Sequence, residues 1–238
     1  MLANFIIIVV IQFLWFIAVT AWTSSWGGAL KTLGLGMLIG LPLGGAFDLI
    51  IGYGGGIFRY IGVRETGLFT ALNGLLSYGL AASTVLTLRP VLLAPYPGRL
   101  RRSLLAGLCV LLGGLIAFTI GSWHTLFLTF VIGAEVLACG EAFCLALGRK
   151  GLLFGLVEYG CTPMLRLWTL STVTGCVYEI ANWLFPLWNW VDPYPSRAVH
   201  ETLIVVFGYF VLFYPIWTAH SLLCTLFGKE LRDRRRLL

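Results

Sequence analysis

Long apolar runs recur along the whole chain, broken only by short polar or charged stretches. Each is about 20 residues long, the length of helix that crosses roughly 30 Å of bilayer hydrocarbon. The runs predict spans over 4–23, 32–57, 67–88, 103–121, 124–147, 167–190 and 202–227. The expected fold class is therefore all-α: a polytopic helical membrane protein of about seven transmembrane helices, forming a single domain over 1–238. The stretch 151–166 is interrupted by Glu158, Gly160 and Pro163, and reads as an interfacial or re-entrant piece. The run at 1–19 lacks a basic n-region and exceeds a signal-peptide core, so it reads as a retained first span, with cleavage at the small residues 24–29 as the alternative.

Within span two the polar and small positions keep a strict period. Gly36, Gly40, Gly44, Asp48, Gly52 and Gly56 fall four residues apart and form one stripe on a helix. Glycine stripes let a second backbone approach closely in a bilayer, so Gly36, Gly40 and Gly44 are expected to receive a helix-helix partner. Span six repeats the device with Ser171, Gly175 and Glu179, and a shift of 131 residues lays Gly40, Gly44 and Asp48 on those three. The correspondence predicts a parallel repeat in which spans 1–3 and 5–7, as halves 1–100 and 124–228, are joined by span 4 and end in the tail 229–238.

Composition agrees with the pattern, since 59% of residues are hydrophobic and 11% charged. Charge adds an orientation. Of the 16 Lys and Arg, thirteen fall on one set of alternate loops and in the tail; only Arg59, Arg64 and Arg197 fall on the other set. Positive charge collects on the cytoplasmic side, which places the N-terminus outside and the C-terminus inside. The net charge of +6 is thus an orientation and lipid-contact signal, and nucleic acid is not an expected partner. The six cysteines lie in spans or near the cytoplasmic face, against a disulfide framework. The chain is expected to be integral to a bacterial inner membrane, with membrane lipids as partners.

Four acids lie inside the predicted spans: Asp48, Glu135, Glu141 and Glu179. A bare carboxylate in hydrocarbon is costly, so each must be protonated, hydrogen-bonded, or next to water or a cation. The neutral, proton-sharing form suits a general acid or a proton-coupled carrier. The structural alternative is a polar clasp between helices, stabilising by about 1 kcal/mol. Asn182 stands one turn after Glu179 and is expected to orient its carboxyl; Pro186 is expected to kink the helix beyond it. Tyr178 and Trp183 are expected as pocket walls, with Tyr60 and Glu201 beside them, whereas Trp188 and Trp190 read first as interfacial anchors. The separated histidines provide no tightly spaced ligand pair, and neither a metal nor a cofactor is expected. There is no nucleophile elbow, no phosphate-binding loop with Lys, and no Lys in the last span for a retinal Schiff base.

The residues Gly175, Tyr178, Glu179 and Asn182, and after them Trp190, Pro193, Glu201, Gly208 and Tyr209, resemble an uncharacterised bacterial family of polytopic membrane proteins with a duplicated aromatic-Glu-x-x-Asn unit. Asp48 and the run Arg59 to Val63 are similar to that family's earlier copy, with Asp in place of Glu and Ile51 in place of Asn. The resemblance implies a duplicated unit and supplies no reaction. A fainter likeness of general shape runs to membrane carotenoid cyclases and hydratases. Together these readings lead to an acid-and-aromatic pocket toward the outer leaflet that binds or modifies an apolar lipid or isoprenoid-type molecule. Glu179 would be its proton donor, Asp48 the counterpart and Asn182 the orienting amide. The rival readings are a proton-coupled carrier and a non-catalytic subunit that docks a partner protein or pigment through its glycine stripe.

Overall fold

The computed structural model describes residues 2–23, 26–49, 52, 56–62, 67–87, 140–142, 162–191 and 196–226. Predicted span four and most of span five, with Glu135, lie outside the described residues. α1 (Leu2–Trp22) is a run without Gly or Pro, and a single 3-10 turn (Trp26–Gly28) leads into α2 (Ala29–Phe47). α2 carries Pro42 and five glycines, tolerated because neighbouring helices in a membrane protein recover the freed backbone groups. After α2 the chain forms a short strand, β1 (Phe58–Tyr60), set between Gly56 and Gly62, both at positive φ (62° and 64°) where glycine bears no Cβ penalty.

Next come α3 (Gly67–Asn73), a π-helical segment (Gly74–Tyr78) and α4 (Gly79–Thr87), which run on as one rod. The second half of the described chain repeats this order. It holds α5 (Thr162–Leu184), strand β2 (Trp188–Trp190), α6 (Arg197–Leu203), a second π-helical segment (Ile204–Gly208) and α7 (Tyr209–Leu226). The starting residues keep one spacing: Phe58 to Trp188, Gly67 to Arg197, Gly74 to Ile204 and Gly79 to Tyr209 are each 130 apart.

Among the described residues, four helical stretches are long and apolar enough to cross a membrane: Leu2–Trp22, Trp26–Phe47, Gly67–Thr87 and Arg197–Trp217. α5 has the length at 23 residues, but Arg166, Glu179, Asn182 and its threonines lower its hydropathy. The all-α expectation needs one correction, because β1 and β2 pair antiparallel, in the register Phe58 with Trp190, Arg59 with Asn189 and Tyr60 with Trp188. Two outer bonds extend the ladder, Ile61 N–H to Leu187 O at 2.8 Å and Val191 N–H to Ile57 O at 2.9 Å. The ladder pairs the strands' backbone groups within the protein. Span two is correspondingly shorter than 32–57. Span six ends at Leu184, so Pro186 lies beyond the helix and does not kink it, and Trp188 and Trp190 stand on a strand.

Hydrophobic transfer does not drive helices together inside lipid; close packing and interhelical hydrogen bonds do. α4 is buried along nearly its whole length and lies between α1, α2 and α7. Its Ala81, Ala82 and Val85 meet Leu167 and Tyr178 of α5 and Phe213, Tyr214 and Trp217 of α7 in one cluster. Small side chains at the centre allow that approach. Polar stitches add to it: Trp15 Nε1 donates to Thr174 Oγ1 at 2.8 Å, and Trp168 Nε1 to the Val206 carbonyl at 2.8 Å. Ile6, Val10 and Leu14 of α1 and Leu38 and Leu41 of α2 point outward, as lipid-facing residues do.

The Gly36, Gly40 and Gly44 seam is filled from within the chain. A Cβ on Gly36 would strike the Ser83 backbone, one on Gly40 the backbone of Gly79, and one on Gly44 the ring of Tyr78. The partner expected there from outside is α4 with its π segment, the chain's own next rod.

Candidate functional site

Asp48 stands directly after the last residue of α2 and is fully buried. Three donors converge on its carboxylate: Tyr60 Oη at 3.0 Å from β1, Asn73 Nδ2 at 3.0 Å from α3, and Tyr78 Oη at 2.8 Å from the end of the first π segment. Asn73 Nδ2 also donates to Tyr60 Oη at 2.6 Å, tying two of the three together. A π segment inserts a residue into the helical turn and re-aims the side chains beyond it. Here Tyr78 is turned back across Gly44, where a Cβ would stand 2.5 Å from its ring.

Glu179 lies on α5 and is buried. Tyr209 Oη, just after the second π segment, donates to it at 3.1 Å, and Trp190 Nε1 of β2 at 3.4 Å. Tyr209 crosses Gly175, where a Cβ would come within 2.7 Å of its ring. Each acid thus takes a tyrosine 30 residues later in the chain, over a glycine four residues before the acid. Tyr60 and Trp190, the two strand donors, are 130 residues apart.

The two arrangements face each other across one cavity of about 120 Å³. Neither carboxyl is among its lining residues. The donors are, because Tyr60, Asn73 and Tyr78 line it together with Trp190 and Tyr209. Tyr178 lines it as expected, and its ring meets that of Tyr209 edge to face at 6.0 Å between centroids. Eight of the 17 lining side chains are aromatic, and none carries a formal charge. The acids are thus set back from the cavity, and residues that hydrogen-bond each of them line it.

Four predicted site residues are employed elsewhere. Asn182 does not orient Glu179. Its Oδ1 accepts from Leu187 N at 2.9 Å and Trp188 N at 3.0 Å, and its Nδ2 donates to the Trp188 carbonyl at 2.9 Å. A turn between helix end and strand leaves backbone groups unpaired, and the amide closes them. Trp183 is exposed and is not a wall of the cavity; its Nε1 donates to Glu201 Oε2 at 2.9 Å, whose other oxygen takes Arg197 Nε at 2.7 Å. Glu141 lies in a helical piece, 140–142, and accepts the Tyr214 hydroxyl of α7. His200 is fully buried with its ring 5.8 Å from that of Trp190.

The residues that sequence reasoning passed over are Asn73, Tyr78 and, as a site residue, Tyr209. The signal for the tyrosines was present, since the shift of 131 that aligns Asp48 with Glu179 also carries Tyr78 onto Tyr209. The same shift carries Asn73 onto Ile204, which has no donor to offer. No family model, curated protein or solved structure matches the chain.

Proposed function

We propose that the chain is an integral inner-membrane protein of two related halves, whose seam holds an apolar lipid or isoprenoid-type molecule. The observation that carries this reading is the cavity itself: aromatic, uncharged and shared by both halves, with an acid one layer behind each wall. Ligand pockets of this kind are mostly apolar with a few placed polar groups. Support for the duplicated unit comes from the constant 130-residue spacing and from the strand register, in which Arg59 faces Asn189 and the flanking pairs exchange roles about that point. A seven-span topology with the N-terminus outside accords with the charge distribution. The chemistry within reach is proton transfer, because Tyr209 lines the cavity and donates its hydroxyl to Glu179, which would serve as the proton reservoir. Tyr209 is then the group that meets the ligand, and Glu179 acts through it.

The test is purification in mild detergent, with mass spectrometry of the molecules that stay bound. The wild type is expected to retain a lipid-class molecule at about one per chain. Ala81→Leu, which fills the cavity, is expected to lose it. Glu179→Gln is expected to lower the occupancy. Equal occupancy in all three preparations contradicts the reading.

A further inference from the structure

We infer that the cavity seats a methylated ammonium group, the positively charged end of a lipid-class molecule, with Asp48 and Glu179 as its counter-charges. The inference rests on the ligand-site reading above and adds a charge to the end of the molecule that enters.

Charge balance comes first. Asp48 and Glu179 are 0% and 4% exposed. Among the described residues, both accept from hydroxyl, amide and indole donors, and neither meets a Lys or an Arg. The nearby base on α6, Arg197, is engaged by Glu201 instead. Acids embedded in a membrane protein pair with a cation or mark the path of one. None of the side chains that line the cavity carries a formal charge, so the positive charge has to arrive with the ligand.

The wall comes second. Eight of the 17 lining side chains are aromatic, and their rings stand in several orientations. Phe58 lies at 85° to Tyr60 and at 72° to Trp190, and Tyr178 at 79° to Tyr209. Aromatic rings attract cations through their electron-rich faces, tryptophan most strongly, and such cages recognise quaternary ammonium groups. Trp188 and Trp190 both line this cavity.

The kind of cation follows from what the wall lacks. A metal ion needs oxygen ligands in direct contact, and the two carboxyls are set back from the cavity. A primary ammonium is strongly hydrated and brings three N–H donors that hydrocarbon leaves bare. A methylated ammonium has no N–H, and methyl groups cover its charge. Size agrees, because a dry cavity of about 150 Å³ takes benzene, and about 120 Å³ suits the slightly smaller trimethylammonium head. Any chain attached to that head extends beyond the cavity.

The experiment is equilibrium binding of tritiated hexyltrimethylammonium to the purified full chain in maltoside detergent, with three unlabelled competitors. Hexyltrimethylammonium itself is the first. Its uncharged carbon isostere, 2,2-dimethyloctane, keeps the shape without the charge, and tetramethylammonium keeps the head without the chain. The wild type should prefer the alkyl cation over the isostere by about ten-fold or more. Tetramethylammonium should compete about ten-fold less well than the alkyl cation, as a lipid head and not a free ion would. Glu179→Gln should weaken the alkyl cation about ten-fold, and Phe58→Leu, which removes a ring but no charge, about three-fold. Both variants should bind the isostere as the wild type does, which shows that the cavity is intact. Equal competition by alkyl cation and isostere in the wild type overturns this inference and leaves the apolar-ligand reading standing. Tetramethylammonium as strong as the alkyl cation overturns the lipid part and leaves the ammonium site. A cation preference unchanged in both variants, or no saturable binding of the alkyl cation, overturns the inference.

Discussion

The surroundings of Asp48 and of Glu179 use one skeleton to hold two acids differently. In both, a glycine four residues before the acid admits the ring of a tyrosine delivered by a π segment, and a strand residue adds a second donor. At Asp48 an amide from Asn73 completes a set of three contacts between 2.8 and 3.0 Å. At Glu179 the corresponding position is Ile204, and the donors are the Tyr209 hydroxyl at 3.1 Å, the Trp190 indole at 3.4 Å and the Trp188 side chain. Asp48 is the anchored acid. Glu179, with longer bonds on a side chain one methylene longer, is the less tightly held acid. The lesson is that one plan of glycine, tyrosine and strand donor can hold two buried acids with different tightness.

The largest expected effect breaks the comparison at the acids themselves. Asp48→Ala strands three buried donors and should cost about 3 kcal/mol, against about 1.5 kcal/mol for Glu179→Ala. Denaturation in detergent, monitored by tryptophan fluorescence, would measure both. Equal losses would remove the distinction between an anchored and a freer acid.

The glycines come second. Gly44→Ala and Gly175→Ala each push a Cβ into a tyrosine ring, and about 2 kcal/mol is expected for such overpacking. The Gly44 variant should lose the more, because its contact is the closer one, 2.5 against 2.7 Å. Thermal stability of the two purified variants checks the order.

Smaller again are the hydroxyls. Tyr78→Phe and Tyr209→Phe each remove one hydrogen bond while leaving the ring in place, at about 1 kcal/mol or less. Their stability losses should be similar. Under the proposed function, Tyr209→Phe should lower the amount of bound ligand more than Tyr78→Phe does, because Glu179 acts through Tyr209.

Much of the helical frame was legible because apolar length is a strong physical constraint in a bilayer. The boundaries of α1 and of the α3–α4 rod fall within two residues of the spans expected at 4–23 and 67–88. The close approach at Gly44 and Gly175 was also readable, because a four-residue period of small residues has no ordinary lipid-facing purpose. β1 and β2 were not. Three residues each, Phe-Arg-Tyr and Trp-Asn-Trp, are too short to show a strand period, and aromatic residues near a span end read first as interfacial anchors. The π segments have no compositional signature, so the re-aiming of Tyr78 and Tyr209 was hidden. Asn182 misled for a related reason: helical spacing placed it on the face of Glu179, but the helix ends two residues later and the turn claims its amide.

The central claim is that the two halves share one cavity. It is tested most directly by ligand occupancy in native mass spectrometry of wild type, Tyr78→Phe, Tyr209→Phe and the double variant. A shared cavity predicts one ligand per chain, reduced by each single substitution, with the double variant departing from the product of the two. Two separate clasps would leave occupancy unchanged in at least one single variant, and that result would contradict the account.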